Sequence, residues 1–114
     1  MNDLSERFWD EQAEWSRATF GSDEVRGPIG PLKHLAKEVA EVIAELERDG
    51  ADAEVVMELA DCQFLIFDAA RQFGLTHGAL FSACFSKLEI NKQRKWNAGS
   101  LTEPIEHIRE ATDD

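Results

Sequence analysis

Apolar positions recur at helical spacing through most of the chain. Between Leu32 and Arg48 they fall at Leu35, Val39, Val42, Ile43 and Leu46. That periodicity predicts a helix over 32–48, with Pro31 in or near its first turn and Gly50 as its stop. A second periodic run carries Val55, Leu59, Cys62, Leu65 and Ile66 and predicts a helix over 52–73, capped by Asp52 and ended by Gly74. Its middle, ADCQFLIFDAA, is apolar on nearly every side. A helix of that kind is buried all round, and a chain of 114 residues has too few helices to cover it. The pattern therefore predicts a homo-oligomer built on this helix.

Two further helices flank this pair. The first is expected over 3–19, with Asp3 or Ser5 as cap, Gly21 as end, and Phe8, Trp9, Ala13, Trp15 and Phe20 as its apolar positions. The last is expected over 76–96, with Thr76 as N-cap and Leu80, Phe81, Cys84, Phe85 and Leu88 as a packing stripe. The segment GSDEVRGPIGP, 21–31, reads as a loop because its Gly and Pro positions interrupt continuous helix. Residues 97–114 read as a tail, broken at Pro104, with a short helical turn expected over 105–110. The fold class is all-α: one domain over 1–114, in a four-helix arrangement.

Four acids interrupt the apolar faces of the two central helices. Glu38 and Glu41 are three apart on one; Glu58 and Asp61 are three apart on the next. Residues at i and i+3 share a helix face, so two packed helices can aim four carboxylates at one place. Unit charges ~4 Å apart repel by about 4 kcal/mol per pair at an effective dielectric of ~20. A hard divalent cation with oxygen ligands relieves that, and Mg²⁺ suits a site completed by phosphates. Asp and Glu make up 23 of the 114 residues, so such pairs also arise by chance; Glu11/Glu14 and Glu103/Glu106 are examples. Spacing alone leaves a cation site and a solvated acidic face equally open. Glu45 extends the face by one turn, and Asp68 is either an outer acid or a surface residue. His34 reads as a surface or capping histidine, and the aromatic residues of the first helix as core, with Trp9 or Trp15 facing a nucleotide base as the lesser alternative.

Charge narrows the classes. A net charge of −11 argues against a nucleic-acid partner and against an anionic membrane surface. No apolar run spans a bilayer, and MNDLSERFW lacks the features of a secretory signal, so a cytoplasmic protein is expected. Cys62 and Cys84 read as small buried hydrophobes. The basic residues concentrate late: Lys87, Lys92, Arg94 and Lys95 are 4 of the 12 Lys and Arg, within nine positions. Cations at a helix C-terminus complement its dipole. Beside a carboxylate cluster they also suit a triphosphate. Asn91 lies on the same helical face as Lys87.

KEVAE (37–41) followed by ELAD (58–61) resembles the ExxE…ExxD signature of the MazG-like all-α nucleoside triphosphate pyrophosphohydrolases. KLEINKQRKW (87–96) resembles the basic element that follows it in that family. Together with GPLKHLAKEVAE, these segments are closer to the small phage and bacterial dATP/dGTP diphosphohydrolases, whose MazZ-type phage members serve the replacement of adenine by 2-aminoadenine. The resemblance spans 27–109. Lys37 departs from it, standing where many relatives carry a further Glu; the ExxE pair is intact.

The resemblance implies a MazG-like helical bundle, a homodimer or homotetramer, that hydrolyses a (deoxy)nucleoside triphosphate to monophosphate and pyrophosphate. It implies Mg²⁺, with Mn²⁺ as substitute, held by Glu38, Glu41, Glu58 and Asp61. Glu41 or Glu38 would act as the base. Lys87, Asn91, Lys92, Arg94, Lys95 and Trp96 would hold the nucleotide. The branch implies a purine deoxynucleotide, dGTP before dATP. Two other readings stand beside it: a house-cleaning hydrolase of modified or pyrimidine nucleotides, and a non-catalytic helical interaction module. A di-iron bundle is disfavoured, because no histidine lies three residues after a central acid.

Overall fold

The computed structural model describes residues 3–49, 53–96 and 102–108. Its elements are α1 (Leu4–Phe20), α2 (Asp23–Arg26), α3 (Ile29–Asp49), α4 (Ala53–Phe73), α5 (His77–Gln93), β1 (Lys95–Trp96) and β2 (His107–Ile108). They fall into two compact units, Met1–Leu80 and Phe81–Asp114.

In the first unit, α3 and α4 pack along each other, and α1 and α2 lie against α4. Local signals set the helix ends. The Asp3 carboxylate accepts the Glu6 N–H at 2.7 Å and starts α1. That bond, followed by the one from Ser5, holds the Asp3 carboxyl below its ordinary range. Gly74, at φ +102°, ends α4: its N–H bonds to the Arg71 carbonyl and the Leu75 N–H to the Ala70 carbonyl, the paired closure of a Schellman motif. The Thr76 hydroxyl accepts the Ala79 N–H at 3.1 Å and opens α5.

Several boundaries differ from the sequence expectation. The segment 21–31 is not all loop: Asp23–Arg26 form one helical turn, and α3 begins at Ile29. Pro31 is tolerated there because the first N–H groups of a helix have no intrahelical acceptor. α5 stops at Gln93 instead of reaching Trp96. The chain there turns extended, and Lys95–Trp96 pair antiparallel with His107–Ile108. The helical turn expected over 105–110 is therefore a strand at 107–108. Asp52 and Gly50, read as cap and stop, lie outside the described residues.

The core centres on the C-terminal half of α4. Trp9 packs on Phe67 with ring centroids 5.0 Å apart, and Leu65, Ala69 and Ala70 are buried with them. The buried face of α1 is Trp9, Gln12, Ala13 and Ser16, a helical stripe that is half polar. Its polar members face a buried ionic network. Asp68, 5% exposed, is neither outer acid nor surface residue. Its Oδ1 accepts the Ser16 hydroxyl at 2.9 Å and Arg71 Nη2 at 2.6 Å; Arg26 Nη1 reaches Oδ2 at 3.2 Å. Arg71 also donates to the Gln12 side chain and lies 5.7 Å from the Trp9 ring centroid. Asp23 joins from α2, accepting from Arg17 at 2.8 Å and Gln72 at 3.0 Å. One carboxylate thus ties α1 and α2 to α4.

α4 is not enclosed all round within the single chain. Val56, Met57, Leu59, Ile66 and Phe73 are exposed, as are Val39, Ile43 and Leu46 on α3. None of the α5 residues is buried, and Cys84 is exposed rather than the expected buried hydrophobe.

Replacing Asp68 by Ala leaves the buried Arg71 and the half-buried Arg26 with only the more distant Asp23, at 3.9 and 3.7 Å, as anion. We expect a loss of about 3–5 kcal/mol in urea unfolding. Burial alone would raise the Asp68 carboxyl, but bonds from Arg26 and Ser16 and the charges of Arg26 and Arg71 outweigh it and hold it below its ordinary value. Its stabilisation is thus present above the unfolded-state pKa of about 3.9 and lost as pH falls through the lower folded-state value. Urea midpoints of the wild type should fall in that acidic window more steeply than those of Asp68→Asn.

Candidate functional site

The acid pairs stand where α3 and α4 pack together. Burial pushes the Cys62 thiol above its ordinary pKa, and the charges of Glu38, Asp61 and Glu58 push it further. Thiolate formation there is disfavoured by burial and by three anions. Glu38 and Asp61 also line a shared cavity of about 660 Å³. Glu38 sits 3.3 Å from His34, one turn earlier on α3. Glu41 is exposed and does not line this cavity.

Glu58 points a second way. Its carboxylate lies with those of Glu45 and Glu54, one oxygen of each within 4.8 Å of the others. Its Oε2 is shielded from solvent and has no hydrogen-bond partner. A buried carboxylate oxygen without a donor is costly, and a cation is the group that satisfies it. The acids present fit a divalent ion: Glu45, Glu54 and Glu58 can each offer one oxygen to it, while Glu38 and Asp61 line the cavity and, among the described residues, do not join that group. Sequence reading found Glu45 as a neighbour of the face but missed Glu54. The signal was available, since Glu54 is four residues before Glu58 on α4.

The cavity wall opposite the acids is aromatic. Trp15, Phe20 and Phe64 line it, and Trp15 meets both phenyl rings edge-on with centroids 5.4 Å apart. Of the two tryptophans named as base platforms, Trp15 faces the cavity. Trp9 is 6% exposed, held between Phe67 and His77. His34, Arg26 and Asp68 complete the lining. His34 is thus a surface residue that also faces the cavity. Arg26 was not singled out from the sequence, because a lone arginine in a Gly/Pro-rich stretch carries no periodic signal.

The expected nucleotide-holding residues belong to the second unit. There Asn91 is a local hub: its carbonyl accepts the Trp96 indole N–H at 2.9 Å and the Arg94 N–H at 3.3 Å, while its side-chain Oδ1 is buried and without a partner. Trp96 stacks edge-on against His107 at 5.6 Å. Lys92 pairs with Glu89 at 3.3 Å on the surface, and Lys87 and Lys95 are exposed. The structure brings Asn91, Arg94 and Trp96 together at the end of α5, with Lys95 in the adjoining strand.

The packed α3–α4 pair with its acids, and the aromatic-walled cavity lined by Glu38 and Asp61, make up the candidate site. The fold matches a cyanophage S-2L MazG-like pyrophosphohydrolase, a structure bound to dGDP and three catalytic Mn²⁺ ions per active site; the TM-score is 0.68 at 25% identity, covering 95% of this chain and all of that one. Residues 8–114 match the family model described as dATP/dGTP pyrophosphohydrolase, and the chain belongs to that family. It is also 45% identical over 105 residues to the Eaa protein of Salmonella phage P22. That match covers 92% of this chain, which spans 30% of the length of the phage protein. No described helix is long and apolar enough to cross a membrane.

Like-charge crowding at Glu58 gives a test of this geometry. Glu58→Gln should raise the melting temperature without added metal by about 2–6 °C, from a relief of about 0.5–1 kcal/mol. Glu11→Gln, at an exposed acid paired with Arg7, should not. Equal shifts for both in thermal melts would show that Glu58 is not crowded.

Proposed function

We propose that this protein hydrolyses a purine deoxynucleoside triphosphate, dGTP before dATP, to the monophosphate and pyrophosphate with Mg²⁺. The observation that carries the reading is that Glu38 of α3 and Asp61 of α4 line one cavity with an aromatic wall. The cyanophage neighbour, with its dGDP and Mn²⁺, supports both the nucleotide and the divalent metal. Glu38, Glu41, Glu58 and Asp61 are the proposed ligands, and Mn²⁺ substitutes. When bound, the cation neutralises phosphate charge and makes a water more acidic.

The protein's own groups supply the rest. Water attacks the α-phosphorus and the bond to the bridging oxygen of pyrophosphate breaks. A carboxylate at the edge of the cluster takes the proton from water; Glu41 or Glu38 fills that role. Glu38 is positioned by His34. Lys87, Asn91, Lys92, Arg94, Lys95 and Trp96 are proposed to hold the phosphates and sugar, and positive charge there stabilises the departing pyrophosphate. Trp15 offers a ring face to the base. The chain acts as one catalytic domain. The exposed apolar faces of α3 and α4 support a homodimer or homotetramer, since patches of this extent are rare on monomers. A role in phage 2-aminoadenine DNA metabolism belongs to the same proposal, for which the P22 relative supports a phage setting alone.

The direct test is a panel of deoxynucleotides with Mg²⁺, resolved by ion-exchange chromatography. Monophosphate and pyrophosphate should appear in equal amounts from dGTP. Orthophosphate with diphosphate instead would assign a different bond. Asp61→Asn and Glu41→Gln should lower kcat at least ~100-fold, about 3 kcal/mol of transition-state stabilisation, with helical content intact. Arg94→Ala should raise KM or lower kcat, and unchanged kinetics would remove it from the site. Light scattering should report a mass above the 12.8 kDa chain.

A further inference from the structure

The α3 wall of the cavity is one stripe. Gly30, His34 and Glu38 all line it, four residues apart, and residues at that spacing share a helix face. His34 and Glu38 bring side chains to that face; Gly30 brings none. Asp61, Phe64 and Asp68 line the cavity from α4, at spacings of three and four. Glu38 and Asp61 mark one end of the two stripes. Gly30, ~12 Å along α3 from Glu38, and Asp68, bonded to Arg26, mark the other. Two usual reasons for a glycine do not apply at position 30. Its φ is not positive, and a Cβ built there would meet no atom within 4 Å beyond its own helical turn and chain neighbours. In a helix, alanine is ordinarily the more stable residue. A third reason is local: a Cβ ahead of Pro31 would crowd the proline ring in helical geometry.

We propose that the missing side chain at Gly30 leaves the room a two-ring base needs, so that Gly30 sets the size of base the cavity accepts. The inference rests on the triphosphate reading above and names its specificity-determining residue. A nucleotide whose phosphates lie at Glu38 and Asp61 extends its sugar, and then its base, away from those acids and along the stripe towards Gly30. Trp15, Phe20 and Phe64 give that space its aromatic wall. A side chain at position 30 would share the face of His34 and Glu38 and project into the same space. One carbon more or less in an apolar pocket changes discrimination by roughly 10- to 200-fold. A larger residue therefore excludes purines first and leaves room for the single ring of a pyrimidine.

The test measures kcat/KM for dGTP, dATP, dCTP and dTTP, with Mg²⁺, in the wild type, Gly30→Ala and Gly30→Val. The wild type should favour the purines. Gly30→Ala should cut purine kcat/KM by roughly tenfold, and Gly30→Val by more. The pyrimidine values should change little, so the purine:pyrimidine ratio falls. Gly78→Ala, at an equally open helical glycine outside this cavity, should leave the ratio unchanged. Crowding of Pro31 alone predicts something else: a lower melting temperature and an equal loss on all four substrates, both restored by adding Pro31→Ala. That result, a wild type that uses pyrimidines as readily as purines, or Gly30 variants that keep the wild-type ratio would overturn the assignment. Calorimetry with dGMP and dCMP separates it from the hydrolysis reading. Weaker binding of dGMP but not of dCMP in Gly30→Val supports the size filter even if no triphosphate is cleaved. Equal weakening of both sinks it even where cleavage proceeds.

Discussion

The first unit depends on a single buried carboxylate. Asp68 sits on the most enclosed stretch of α4, between two guanidiniums and a serine hydroxyl. An ion pair of this kind contributes little net stability against an apolar alternative, because desolvation offsets most of the attraction. What it does impose is geometry. Each donor must lie at one distance and angle, so α1 and the single turn of α2 are set on α4 in one arrangement. Trp15 and Phe20 on α1, and Arg26 at the end of α2, then stand as the wall of a cavity whose other side carries Glu38 and Asp61.

The opposite electrostatic problem governs the α3–α4 pair. There Glu45, Glu54 and Glu58 lie together, and Glu58 keeps one oxygen from both water and any donor. Folding a chain of net charge −11 around such a cluster is unfavourable in itself. A divalent ion reverses the sign of that contribution. Acids that weaken the metal-free fold and acids that would bind the metal are therefore the same residues. Membership of the dATP/dGTP pyrophosphohydrolase family gives the crowding its chemical sense.

Much of this was legible in the sequence. The long helices followed from apolar spacing, and Asp3, Gly21, Gly74 and Thr76 marked ends that the backbone bears out. The Glu38 and Asp61 positions followed from i, i+3 geometry. What stayed hidden depended on contacts far apart in the chain. Asp68 looks like any acid in a polar-dotted apolar run; only Ser16, 52 positions earlier, and Arg26, 42 positions earlier, explain its burial. The α2 turn was obscured by flanking glycines and proline. The β1–β2 pair was missed because two-residue strands show no alternation to read. The exposed apolar residues of α4 agree with the expectation that one chain has too few helices to cover it, while periodicity is silent on what does.

The central claim is that carboxylates from α3 and α4 share one divalent ion. Sub-stoichiometric Mn²⁺ added to the isotope-labelled protein tests it residue by residue, since the paramagnetic ion broadens only nearby amide signals. The account predicts that Glu38, Glu58, Asp61 and Cys62 are lost first, before acids elsewhere on the surface. Uniform broadening, or first losses at Glu11 and Glu14 on α1, would contradict it.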